Sequence, residues 1–206
     1  MKRKIRLTTG ALPAFLSVLL LGGSPVAAGQ TRMALHLEES EISWGDPELK
    51  SKLLDRLSIS AGLELMVISD SLWSVNEFGS AFFSAGYVAR FGSSLDVRYV
   101  VSLSDVRTDL RVRKGLSVPL LLSRYSVIGT VSGVIRIVDT QKGRVVYDDT
   151  FEVDKRGPSH WQPLDDNPHT SALQIPAAEK PHFLESLEWR AAETLAAIIL
   201  RTVRLR

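Results

Sequence analysis

Apolar and polar positions along this chain alternate with two distinct periods. Residues 32–37 (Arg-Met-Ala-Leu-His-Leu) read as an opening strand. Leu49, Leu53, Leu54, Leu57 and Ala61 then recur at helical spacing, which predicts an amphipathic helix over 47–61. Asp46 suits its cap, Pro47 its first position and Glu48 the positive end of its dipole, and Gly62 supplies the stop. Residues 63–69 read as a short buried strand. The Ser-, Gly- and Phe-rich stretch 70–91 is read as a loop with one or two short helices, Phe82, Phe83, Tyr87 and Val88 forming an apolar face. Residues 96–103 are β-branched and aromatic and predict another strand.

The firmest pattern lies in the second half. In 125–138, Val127, Val131, Ile135 and Ile137 share one parity with Gly129 and Gly133. Asp139-Thr140-Gln141-Lys142-Gly143 is turn chemistry, and 144–153 returns with Val145, Tyr147, Phe151 and Val153 on one side. This predicts a β-hairpin with one face on a core. Residues 154–181 hold five prolines and few apolar side chains and read as a mobile, proline-rich connection. Residues 183–204 form the last helix, with Leu184, Leu187, Ala191, Leu195, Ile198 and Ile199 as its stripe and Arg201 and Arg204 at its negative end. The order predicts an α/β (α+β) domain: a single mixed β-sheet with a long antiparallel hairpin and helices packed on it.

The N-terminus changes this picture. Lys2, Arg3, Lys4 and Arg6 precede an apolar run over 11–21, and Val26-Ala27-Ala28 stands before Gly29. A cationic head, a short apolar body and small residues at the cut are the signature of an export signal. The run is too short to span a bilayer, which takes about 20 apolar residues. Cleavage is expected after Ala28, leaving 29–206 as one globular domain. The charge then has to be recounted. The chain holds 25 basic and 23 acidic residues. Removing 1–28 takes four basic residues and no acid, leaving 21 against 23, about −2. No positive field remains to favour a nucleic-acid partner. Cysteine is absent, which excludes disulfides, thiolate nucleophiles and lipid modification of an N-terminal cysteine.

Catalytic chemistry finds little support. Gly129-Thr130-Val131-Ser132-Gly133 places its serine one position too late for a nucleophile elbow and lies within a strand. His160, His169 and His182, with Asp165 and Asp166, lack recognised metal-ligand spacing, and neither a phosphate-binding glycine loop nor a dinucleotide fingerprint occurs. No catalytic, cofactor or metal residues are assigned. The candidate partner-binding residues are the basic cluster Arg107, Arg111, Arg113 and Lys114, together with His160 and Trp161 in the proline-rich segment.

The hairpin Arg136-Ile137-Val138-Asp139-Thr140-Gln141-Lys142-Gly143-Arg144-Val145-Val146-Tyr147, with Gly45-Asp46-Pro47-Glu48-Leu49 and Asp96-Val97-Arg98-Tyr99-Val100-Val101, resembles bacterial envelope domains. The pattern is similar to the curli-secretion lipoprotein family and to penicillin-binding-protein activator lipoproteins, although their modified cysteine is missing here. The resemblance implies a periplasmic accessory domain with envelope protein partners and no transferable catalytic residues, and the sequence leaves an oligomer open. The expected function is a non-enzymatic binding or assembly factor of the cell envelope. The alternative is an exported hydrolase whose site joins His160 or His169 to dispersed acids.

Overall fold

The computed structural model describes residues 31–37, 49–60, 62–69, 85–118, 122–163 and 175–204. The expected export signal, the proposed cap and first turn of the first helix, Phe82, Phe83, Asp165, Asp166 and His169 lie outside them. Five strands, β1 (Thr31–Leu37), β2 (Leu63–Ile68), β3 (Tyr99–Val118), β4 (Leu122–Asp139) and β5 (Arg144–Pro163), form one mixed sheet in the order β2-β1-β3-β4-β5. Strand β1 runs parallel to β2 and β3, and the β3–β4 and β4–β5 pairs are antiparallel. The helices are α1 (Leu49–Ser58), α2 (Ala85–Ser94) and α3 (Lys180–Arg204). The fold is α+β, with the single mixed sheet and the long hairpin that the sequence pattern predicts.

Helices cover both faces of the parallel part. Leu49, Leu53 and Leu57 of α1 and Leu187, Ala191, Leu195 and Ile199 of α3 bury against Met33, Leu35, Tyr99, Val101, Leu103, Val131, Ile135 and Ile137 on the first face. Val88, Ala89 and Phe91 of α2 bury against Ala34, Ile68, Val100 and Val138 on the second. The β1-to-β2 crossover moves one way along the sheet and the β2-to-β3 crossover moves back. Right-handed crossovers in opposite directions require helices on opposite faces. Strand β1 is therefore closed on both sides, and Met33 through Leu37 are all buried, His36 among them. Helix α2 approaches closely at Gly92, where a Cβ would come within 2.4 Å of Thr140 Cγ2.

Strands β3, β4 and β5 are 20, 18 and 20 residues long, whereas β1 and β2 have 7 and 6. At about 3.3 Å per residue the long strands reach roughly 60 Å, beyond the roughly 38 Å of the 25-residue α3. Strand β1 pairs with β3 only as far as Leu103, so the rest is a three-stranded ribbon. Helix α3 seats its first turns on that ribbon. At Gly129 a Cβ would fall 2.7 Å from Leu187 Cδ2 and 2.8 Å from Phe183 Cε1, and at Gly157 one would meet the Phe183 ring at 3.1 Å.

Several expectations need correction. The basic cluster, for which the sequence allows a solvated loop or an edge strand, lies in strand: β3 continues through it to Val118 and pairs with β4, with shifts at Ser104/Arg107 and Lys114/Ser117. Residues 154–163, expected to be a mobile connection, are the second half of β5. Pro158 is tolerated there because β5 is the edge strand and the ladder shifts between Ser126 and Ile128. Strand β2 is half-buried rather than buried, since it forms the other edge, with Val67 exposed. Tyr87 points outward instead of joining Val88 in the core, and the Arg90 guanidinium lies 4.7 Å from its ring centre. The Asp139–Gly143 turn behaves as expected: Asp139 Oδ1 accepts the Lys142 N–H at 3.0 Å and Gly143 has φ of 60°.

The α1–α3 contact carries a buried charge pair. Lys52 Nζ donates to Glu188 Oε2 at 2.5 Å, and one turn on, Arg56 pairs with Glu193 and lies over the Trp189 ring. Replacing Lys52 by Met while Glu188 remains should cost about 3 kcal/mol in urea unfolding, because a buried carboxylate loses its cation. Pairing it with Glu188→Leu should recover most of that loss. Gly129→Ala should cost about 1–3 kcal/mol by forcing Leu187 and Phe183 off the ribbon. Gly143→Ala, where nothing lies within 4 Å, should cost only the roughly 1 kcal/mol of a left-handed backbone.

Candidate functional site

Among the described residues, two depressions and one projecting end compete as functional surfaces. The larger depression, about 440 Å³, opens between the starts of β1 and β3 and the end of α2, lined by Thr31, Arg32, Ser93, Asp96, Arg98 and Thr140. Arg32 and Thr140 in it are already committed. Arg32 donates to Glu64 Oε2 at 3.1 Å and to Asp96 Oδ2 at 2.6 Å, and the Glu64 bond raises the guanidinium's pKa further above its ordinary value. Thr140 Oγ1 donates to the Val97 carbonyl at 2.6 Å. An ion-paired arginine and an occupied hydroxyl make a structural corner.

The second depression, about 310 Å³, lies over the β3 irregularity, lined by Asp105, Arg107, Ser132, Thr150, Phe151 and Glu152. Asp105 there has φ of 51°, a left-handed backbone unusual for a residue other than glycine. Beside it Arg111 Nη2 binds Glu152 Oε1 at 3.0 Å and Thr130 Oγ1 at 3.2 Å, while Thr130 Oγ1 donates to Asp154 Oδ1 at 2.6 Å. Cations and acids balance along this stretch.

The six residues singled out from the sequence do not form one patch. Arg107 pairs with Ser132 and lies back at the second depression. Arg111, Arg113, Lys114, His160 and Trp161 all fall toward the far end of the ribbon, on two faces. Lys114 pairs with Tyr125 and Tyr125 with His160, placing Lys114 and His160 on the first face. Arg113 pairs with Ser126, and Trp161 with Arg124, on the second. The register thus sets Lys114 and His160, 46 positions apart in the sequence, on either side of Tyr125. A hydrolytic arrangement around His160 does not follow from it. The nearest acid of β5, Asp154, pairs with Thr130 on the opposite face, and His160 Nε2 is buried without a hydrogen-bond partner among the described residues. Among the described residues no group of three or more His, Asp or Glu side chains could hold a metal ion.

The structure adds residues to this end that the basic cluster alone does not suggest. Arg124 donates to Ser159 Oγ from Nε at 3.1 Å and from Nη2 at 2.8 Å. Leu116 is 71% exposed, Trp161 47% and Leu122 40%, an accumulation of apolar surface that a solvated strand end does not require. Behind them Val127 joins Ile175 and Phe183 in a small core, and Lys155 Nζ stands 6.0 Å from the Phe183 ring centre. The sequence signal for this end is its charge distribution: residues 110–127 and 155–163 contain six cations and no acid. Acids resume at Asp109 and Asp154, which flank Thr130 in a single cross-strand row.

No helix among the described residues is long and apolar enough to cross a membrane. No family model and no curated protein matches the chain. Several solved structures are similar to it. A hypothetical protein from Chlamydia trachomatis is 13% identical, with 86% of this chain and 99% of that one covered and a TM-score of 0.49. The rare lipoprotein B of Shewanella oneidensis is 14% identical over 85% and 98% of the two chains, with a TM-score of 0.43. The PelC dodecamer from Paraburkholderia phytofirmans is 14% identical over 88% and 92%, with a TM-score of 0.37. At these identities and scores the likenesses carry no function to this chain.

Proposed function

We propose that this protein is an exported, non-enzymatic binding or assembly factor of the bacterial cell envelope, and that the far end of its β-ribbon is the surface through which it engages its target. The observation that carries this reading is the ribbon end itself. Three long strands project an end that is acid-free and cation-rich among the described residues, with exposed Leu116, Leu122 and Trp161. A globular domain gains nothing in stability from exposing a tryptophan and two leucines there, whereas an interface anchored by aromatic and arginine side chains does use them. The cationic N-terminus with its small-residue cleavage motif supports a periplasmic or secreted location after removal of residues 1–28. The resemblance to curli-secretion and penicillin-binding-protein activator lipoproteins supports the same assignment at the level of the hairpin pattern, and envelope proteins are the partners it suggests.

Two experiments bear on this. Fractionation of cells expressing the full chain, with N-terminal sequencing, should recover a periplasmic product beginning at Gly29; retention of residues 1–28 in the cytoplasm would remove the envelope assignment. A photo-crosslinking residue in place of Leu116 or Trp161 should give a reproducible adduct with an envelope component in living cells. The same residue in place of the exposed Arg190 on α3 should give none. Identical adducts from ribbon and helix, or none from the ribbon, would show that this end is not the contact surface.

A further inference from the structure

The side chains at the ribbon end are graded along the strand axis. Leu122 lies outermost. Leu116, Arg124 and Trp161 come next, since Arg124 pairs with Trp161 and faces the β3 shift between Lys114 and Ser117 that holds Leu116. Arg113 and Lys114 follow, and Arg156 and Lys155 stand behind them. Most of this charge is uncompensated. Arg111 is committed to Glu152 and Asp154, but Arg113, Lys114 and Arg156 form no ion pair among the described residues, and Arg124 is held only by the neutral Ser159 hydroxyl. The cations also surround the ribbon. Arg113, Arg124 and Arg156 occupy the second face, as their pairing with Ser126, Trp161 and Ile128 requires, and Lys114 and Lys155 occupy the first, opposite Tyr125 and Gly129.

We infer that this end docks on the anionic headgroup layer of a lipid bilayer, an inference that rests on reading the ribbon end as the contact surface. Leu116, Leu122 and the amphipathic ring of Trp161 enter the boundary between headgroups and acyl chains, and the collar of cations meets the lipid phosphates around them. Charge on both faces of a narrow ribbon suits an end-on approach to a plane. A partner protein's groove would be matched by one face. The depth is limited by the same cations. Beyond Lys114, β3 adds four residues, and before Arg124, β4 supplies two. A strand crossing a bilayer needs about 9–11, so the ribbon anchors at the surface and does not span.

The test is sedimentation of the exported, processed protein with vesicles of phosphatidylglycerol mixed with phosphatidylethanolamine, against vesicles of phosphatidylcholine alone. Binding should favour the anionic vesicles and weaken as salt rises, because exposed charges are screened. The triple variant R113Q/K114Q/R124Q should bind the anionic vesicles at least ~10-fold more weakly, given the usual attraction of each surface cation to an anionic leaflet. Leu116→Ser with Trp161→Ser should also weaken binding, with circular dichroism unchanged because all five side chains lie on the surface. R190Q/R201Q on α3 should bind like the wild type. Equal binding to both kinds of vesicle, or binding that neither ribbon variant weakens, would overturn the inference. No binding to either vesicle, with crosslinks from position 161 to a single protein, would overturn the lipid assignment and leave the ribbon end as a protein-docking surface. No binding and no crosslinks would overturn both.

Discussion

The burial of the α3 stripe on the first face of the sheet is the contact on which the rest of the molecule depends. Leu187, Ala191, Leu195 and Ile199 have no exposed surface, and each large aliphatic side chain so buried contributes about 1.5–3 kcal/mol. The stripe does two jobs at once. Its middle and end share a core with α1 and the parallel strands, while Phe183 and Leu187 grip the ribbon at Gly129 and Gly157. Without that grip the ribbon would be held to the domain only by the short β1–β3 pairing, from Met33–Tyr99 to Leu37–Leu103.

From this contact follows the division of the chain into a covered half and a projecting half. In β1 the positions from Met33 to Leu37 are enclosed, and buried polar groups nearby find partners: Lys52 pairs with Glu188, and Asp139 Oδ1 accepts the Lys142 amide. Past Val127 the three strands carry cations and exposed apolar side chains instead. Backbone pairing maintains the ribbon there, since most residues of the central strand β4 pair on both sides. That arrangement tolerates polar side chains on both faces. It leaves the surface chemistry of the end free to serve binding.

Much of the fold was legible in the sequence because its signals are local. The helical spacing of leucines in α1 and α3 and the turn chemistry at Asp139–Gly143 each depend on residues within one or two turns of one another. The same holds for Val127, Val131, Ile135 and Ile137, whose parity marks one face of a strand without reference to any partner. Less of the ribbon end was legible. Arg107 to Lys114 alternate charge with apolar residues in a way that loops and exposed strands share, and the prolines of 154–163 argue for an irregular connection. Only the pairing with β4 turns both into strand.

The sequence by itself determined the helices α1 and α3, the hairpin turn and the absence of thiol chemistry, because each is set by periodicity or composition within a short span. Tertiary structure alone decided which distant residues meet. It set Arg124 beside Trp161, divided Lys114 and His160 from Arg113 and Trp161, and separated Arg107 from the rest. The physical reason is register: side chains alternate across a strand with a period of two, so a single bulge reverses which face a residue occupies. The shifts at Ser104/Arg107, Lys114/Ser117 and Ser126/Ile128 belong to ladders between separate strands, which no local pattern encodes.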